Sequence, residues 1–246
     1  MSNRTARVLL AALLPALFAT TCKQPPRSDP AAADSAMGSL SAAERAAGWR
    51  PLFDGSTTAG WHGFRKDAVP AGWQVVDGAL TRVGEGGDIV TDAEFDSFEL
   101  ALEWNVAPGG NSGVFFHVVE DSSVSYVWQT GPEMQVLDNA RHADGRDPLT
   151  SAASNFALHA PARDATRPAG EWNAARLVVR GHHVEHWLNG EKVVEYELGS
   201  ADWQQRVAAS KFAAMPRYGR ARRGHIALQD HDHEVSFRAI KIRELK

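Results

Sequence analysis

SFELALEW, residues 97–104, sets Phe98, Leu100, Leu102 and Trp104 against Glu99, Ala101 and Glu103. A period of two sends successive side chains to opposite faces of an extended backbone, so the stretch predicts a β-strand with one apolar and one polar face. The same alternation returns in WQVVDGALTRV (73–83), SGVFFHVV (112–119), EMQVLD (133–138), EWNAARLVVRG (171–181) and HHVEHWLNGEKVVEYEL (182–198). GHIALQDH (224–231) and HEVSFRAIKIREL (233–245) continue it. Asp77-Gly78 and the LNGEK around Asn189-Gly190 are hairpin signals, because their glycines take positive φ freely. Only ADWQQRVAAS (201–210) predicts a helix of useful length, and LSAAERAAG (40–48) a turn or two. Many short strands without alternating helices predict an all-β chain folded as an antiparallel β-sandwich.

The 246 residues are 43% hydrophobic with a formal net charge of -4, enough apolar material for one large domain and no general attraction for nucleic acid. The basic run RYGRARRGH (217–225) has little aromatic interleaving and reads as a solvated loop, with a polyanion site as the alternative. Arg4 and Arg7 followed by VLLAALLPALFAT (8–20) read as an export signal over residues 1–22. Cys22, the sole cysteine, stands where a bacterial lipoprotein signal places its lipid-modified residue, although the ATT before it departs from the usual lipobox. The expectation is an exported protein, periplasmic or anchored to a bacterial membrane by lipid at Cys22, with ordinary signal cleavage as the alternative. Residues 23–47, rich in Pro, Ala and Ser, form a tether, and 48–246 the folded domain.

Sorting side chains by face gives a candidate site. With Leu102 and Trp104 inward, Glu103 faces out; with Val114, Phe116 and Val118 inward, Phe115 and His117 face out. Met134 and Val136 inward leave Glu133 and Gln135 outward, and Ile226 and Leu228 inward leave Gln229 and His231 outward. If these strands are neighbours, their outer residues form a polar floor suited to a small carbohydrate; if not, they are wet strand faces. His231 and His233, two apart, are half of a metal site or part of a charged turn. His182, His183 and His186 read as surface residues beside a hairpin. No P-loop, HExxH or CxxC motif occurs, and Ser112 in NSG lacks the GxSxG elbow.

LFDGSTTAGWHGF (52–64), GWQVVDGAL (72–80), FELALEWNVAPGGNSGVFFHV (98–118), GPEMQVLDN (131–139), GEWNAARLVVRGHHVEHWLNGEKVVEYEL (170–198) and GHIALQDHDHEVSFRAIKIREL (224–245) together resemble the 3-keto-disaccharide hydrolase family, over nearly all of residues 49–246. The resemblance implies a concanavalin-like sandwich or jelly roll, exported from bacteria, that cleaves glycosides already oxidised at C3. It implies polar site residues at Glu103, Asn111, Glu133, Gln135, Asp138, Gln229, Asp230 and His231. Three positions depart from the family pattern: Asp232 where glycine is common, His117 where arginine is frequent, and Ala239 where asparagine is often found.

A 3-keto group acidifies the C2 hydrogen, so a base can form an enolate that expels the C1 substituent, and water can then add. Glu133 and His231 are assigned to the base and metal-ligand roles without deciding between them. A divalent cation would stabilise the enolate. The remaining residues, with His117, would contact the sugar. A lectin-like binding module and an ordinary two-carboxylate glycoside hydrolase are the alternatives.

Overall fold

The computed structural model describes residues 40–246. The export signal, Cys22 and most of the tether lie outside the described residues. Two antiparallel sheets face each other. The larger is built, in spatial order, from β11 (Glu191–Glu197), β10 (His183–Leu188), β9 (Asn173–Arg180), β6 (Phe98–Val106), β13 (Val235–Glu244), β4 (Ala79–Arg82) and β3 (Trp73–Val76), with β1 (Arg50–Pro51) also paired to β13. The smaller runs β2 (Trp61–Gly63), β5 (Ile89–Phe95), β12 (Gly224–Leu228), β7 (Asn111–Val118) and β8 (Glu133–Leu137). Among the described residues two short α-helices accompany them, α1 (Ala42–Ala46) and α2 (Ala201–Ala208). Ser41 and Glu44 close a capping box on α1, and Glu44 also accepts from Lys241 of β13, which ties the domain's start to its last strand.

The apolar faces predicted from alternation meet between the sheets. Phe98, Leu100, Leu102 and Trp104 of β6 pack with Val114 and Phe116 of β7, Met134 and Val136 of β8, and Ile226 and Leu228 of β12. The outer face of the small sheet is partly covered as well: Phe115, Val118, Val90 and Ala227 form a second cluster under Val127 and Trp128. The segment after residue 150 covers the β8 edge, with Phe156 N–H donating to Glu133 O and Gln135 N–H to Ser154 O. The edge strand is thereby closed to further pairing.

A bulge corrects one face assignment. Val118 and Phe115 pair with His225 and Ala227, so Phe116 and His117 of β7 stand opposite Ile226 alone. The extra residue reverses the alternation beyond it. His117, at φ 52°, turns its ring onto Phe98 and Phe116, and Val118 joins the outer cluster. The Nε2–H of His117 donates to Asp96 O at 2.7 Å, and burial lowers its pKa, so it is a neutral structural group.

All three departures from the family pattern have left-handed backbone: His117, Asp232 (φ 63°) and Ala239 (φ 50°). Glycine and asparagine take that conformation at least strain, and alanine carries the Cβ penalty in full. Ala239 sits in the bulge of β13 opposite Leu102, between the Arg238–Glu103 and Lys241–Ala101 pairs. Ala239→Gly is expected to stabilise the fold by about 0.5–1 kcal/mol, raising the melting temperature by about 2 °C. Thermal unfolding followed by circular dichroism checks this; a lower melting temperature contradicts it.

Candidate active site

The strand order β12-β7-β8 brings three of the four polar faces together. Glu133 and Gln135 from β8, Asn111 from β7 and Gln229, Asp230 and His231 after β12 line one cavity of about 570 Å³ on the outer face of the small sheet. That volume lies within the usual range for small-ligand pockets.

Glu133 is the centre of the site. It pairs with Phe115, and its side chain lies over the backbone of Gly113, where a Cβ would approach Oε1 to 2.1 Å. Its carboxyl is buried, and among the described residues no protein group hydrogen-bonds it. Burial pushes its pKa up to about 8; the positive charge of Lys211 opposes this, and Asp88 and Asp144 reinforce it. A carboxyl poised in this way fits a general base better than a passive surface group.

Lys211, Asp88, Tyr126 and Trp128 also line the cavity, and face sorting found none of them because all four lie outside the strands. The Lys211 ammonium sits 4.2 Å over the Phe156 ring, and burial lowers its pKa against the pull of Glu133 and Asp144. Asp88 is pushed up to about 6, first by burial and further by Asp230, while the Asp230 N–H bond to its Oδ1 pulls the other way. Tyr126 and Trp128 stack at 5.0 Å and 9°, a rim of rings of the kind on which sugar faces pack. The signal that could have found them is SYVWQ (125–129), two large aromatics among polar residues outside any alternation.

Two amides complete the floor. Gln229 Oε1 and Asn111 Oδ1 are buried without partners among the described residues. His142 Nδ1 accepts from the Asp144 N–H, so neutral His142 carries its proton on Nε2, 3.5 Å from the Asn111 amide. The amide orientation that satisfies both groups turns Oδ1 to Nε2–H and frees the Asn111 NH₂ for a ligand.

Four expected residues serve otherwise. Glu103 faces out from the larger sheet, paired at 2.6 Å with Arg238, which stacks on Trp172; it cannot share a cleft on the opposite sheet. His117 is turned inward as described. Asp138 accepts N–H bonds from Gly109 and Ala140, pinning the turn before β7 to the loop after β8. Asp230 reaches the cavity, but its carboxylate is taken by Arg82 Nε at 2.6 Å and the Gly86 and Gly87 N–H groups, so it holds the loop that presents Asp88.

His231 lies at the cleft mouth beside His142 and His233, with ring centroids 5.9 to 6.4 Å apart. His142 Nδ1 is engaged by Asp144 N–H, and His233 Nδ1–H by the His231 carbonyl. Among the described residues, the His/Asp/Glu trio with donor atoms within 4.8 Å of one another is His183, Glu185 and Glu195 on the outer face of the larger sheet. Lys192 already bridges its two glutamates. The cleft donors as placed therefore do not gather a coordination set around Glu133 and His231.

Fold and cleft define a β-sandwich with a small-ligand cleft on its smaller sheet. A family model described as the 3-keto-alpha-glucoside-1,2-lyase-like domain matches residues 48–243, and the chain belongs to that family. It is similar to a protein named 3-keto-disaccharide hydrolase from Bacteroides thetaiotaomicron, 35% identical over 239 residues that cover 85% of this chain and 82% of the relative. Among solved structures, one from Parabacteroides distasonis, described as a candidate glycosyl hydrolase, superposes with a TM-score of 0.81 at 34% identity, covering 85% of this chain and 99% of the other. A second from the same organism, described in the same words, gives 0.63 at 27% identity, over 80% and 99%.

Proposed function

We propose that the chain hydrolyses 3-keto-disaccharides by elimination followed by hydration, with Glu133 as the base. The observation that carries this reading is the buried, unpartnered Glu133 carboxyl with its raised pKa, beside the Lys211 ammonium. The names of the matching family and of the 35% identical relative support the same chemistry: a lyase eliminates, a hydrolase consumes water, and elimination with rehydration does both.

In this scheme the sugar stacks against Tyr126 and Trp128 with its C3 carbonyl toward Lys211. Glu133 removes the C2 proton, and the Lys211 ammonium stabilises the enolate oxygen that forms. The enolate re-forms its carbonyl as C2–C1 becomes a double bond and the C1–O bond breaks. Protonated Asp88, its pKa raised to about 6, is suited to give its proton to the departing oxygen. Water then adds at C1, giving its proton to the Asp88 carboxylate, while Glu133, its proton exchanged with solvent, protonates C2, so the free 3-keto sugar and the released alcohol leave with both carboxyl groups restored. No step is assigned to a cation.

Glu133 and Asp88 in one cleft also resemble the carboxyl pair of an ordinary glycoside hydrolase. Incubation with a 3-keto-glucoside and with its unoxidised parent, each before and after chelation, separates the readings. Cleavage of the keto compound alone is expected; equal cleavage of both overturns elimination, and cleavage of neither favours a binding module. The raised pKa also sets the sign of the pH response. The base acts ionised and the acid protonated, so kcat/KM should climb about tenfold per unit up to about pH 6, hold between about 6 and 8, and fall about tenfold per unit above that. A rate that is flat from pH 5 to 9 contradicts the assignment.

The proposal places the protein outside the cytoplasm, on the strength of Arg4, Arg7 and the apolar run that ends at Cys22. Metabolic labelling with palmitate, lost in Cys22→Ser, tests the lipid anchor.

A further inference from the structure

The basic run Arg217–His225 borders a second cavity, of about 640 Å³, separate from the cleft. It lies between α2, the turn Lys211–Ala214 and residues 215–222, and the turn forms a wall shared by the two cavities: Lys211 lines the first and Phe212 the second. The floor is aromatic and fixed. Phe212 and Tyr218 stack at 3.9 Å and 8°, Trp203 and Tyr218 at 5.8 Å and 5°, and all three are buried. A Cβ on Gly219 would come within 2.4 Å of the Trp203 ring, so the glycine permits this close approach.

The charges around the cavity are one-sided. Arg217 is paired with Asp121 and Arg223 with Glu94. Arg220 and Arg222 have no carboxylate partner among the described residues, and both line the cavity, where no Asp or Glu accompanies them. Arg222 Nη1 donates to His182 Nε2 at 2.8 Å, which holds its guanidinium at the rim. In a chain of formal net charge -4, two guanidinium groups without a carboxylate partner among the described residues, at the rim of a cavity with an apolar aromatic floor, form a specific pattern. Guanidinium forks match carboxylates, and stacked rings match a planar apolar body.

We propose that this cavity is a second ligand site for a small organic anion with a flat apolar body, such as an aromatic carboxylate. The carboxylate meets Arg220 and Arg222, and the ring lies against Trp203, Val207 and Met215. The assignment is independent of the reaction in the cleft.

Calorimetric titration of the purified protein with 2-naphthoate, naphthalene-2-carboxamide and octanoate tests it. One-to-one saturable binding of 2-naphthoate is expected, about tenfold or more weaker for the uncharged carboxamide and for the Arg220→Ala/Arg222→Ala variant. Val207→Trp, which fills the cavity, should abolish binding while the melting temperature shows it folded. Turnover in the cleft should be unchanged in the double arginine variant. Absence of saturable heat with 2-naphthoate, or an affinity unaffected by either variant, overturns the site. Tighter binding of octanoate than of 2-naphthoate overturns the flat-ligand assignment.

Discussion

Glu133→Gln should lower kcat/KM on a 3-keto-disaccharide by about two orders of magnitude or more, with the melting temperature unchanged or raised. The activity loss follows from the carboxyl's place: it is the buried ionisable group at the centre of the floor, with no protein partner among the described residues to occupy it. The stability side follows from the same burial. A carboxyl whose pKa is raised in the folded state is held in its charged form at a cost, so above its unfolded pKa stability falls as pH rises and is lowest beyond the folded value near 8. Glutamine keeps the shape and removes the charge. The measurement is steady-state turnover beside thermal melts at pH 8; a variant as active as its parent rules Glu133 out as the base.

Gly113→Ala should be nearly as damaging, by about a hundredfold, although the substitution adds only a methyl group. Gly113 pairs with Gln135 in the strand next to Glu133, and its backbone lacks the positive φ that would itself demand glycine. An added Cβ would meet Glu133 at Oε1, Cδ and Cγ, at 2.1, 2.9 and 3.0 Å, so the side chain must leave its position. The effect therefore runs through Glu133, and in the Glu133→Gln background Gly113→Ala should add little. Additive losses would show that Gly113 serves backbone packing instead. Crowding of a flexible side chain, rather than of backbone, lets the fold survive, which circular dichroism checks.

The alternation in residues 97–104 and its repeats reached far into the fold. Phe98, Leu100, Leu102, Trp104, Met134, Val136, Ile226 and Leu228 meet in the core as their spacing implies. Glu133, Gln135, Gln229 and His231 share one cavity because β12, β7 and β8 are adjacent, an adjacency that no single strand's pattern contains. Glu103 has the same local pattern as Glu133 and stands on the other sheet, since periodicity assigns a face and not a sheet. His117 was misplaced by one extra residue in β7, and such a bulge leaves little mark in side-chain composition. Asp88, Lys211, Tyr126 and Trp128 lie outside the strands, where a period of two carries no information. The family pattern pointed to Asp138 and Asp230, which the structure uses to hold loops in place.

The central claim is that a proton leaves C2 of the sugar and another returns there. Cleavage of a 3-keto-disaccharide in D₂O, stopped early and reduced with borohydride to lock the product, reads this by mass spectrometry, with enzyme-free 3-keto sugar as the control for spontaneous exchange. One deuterium at C2 of the released sugar, formed only with active Glu133, is the predicted result; product released at full rate with hydrogen retained at C2 would contradict the account.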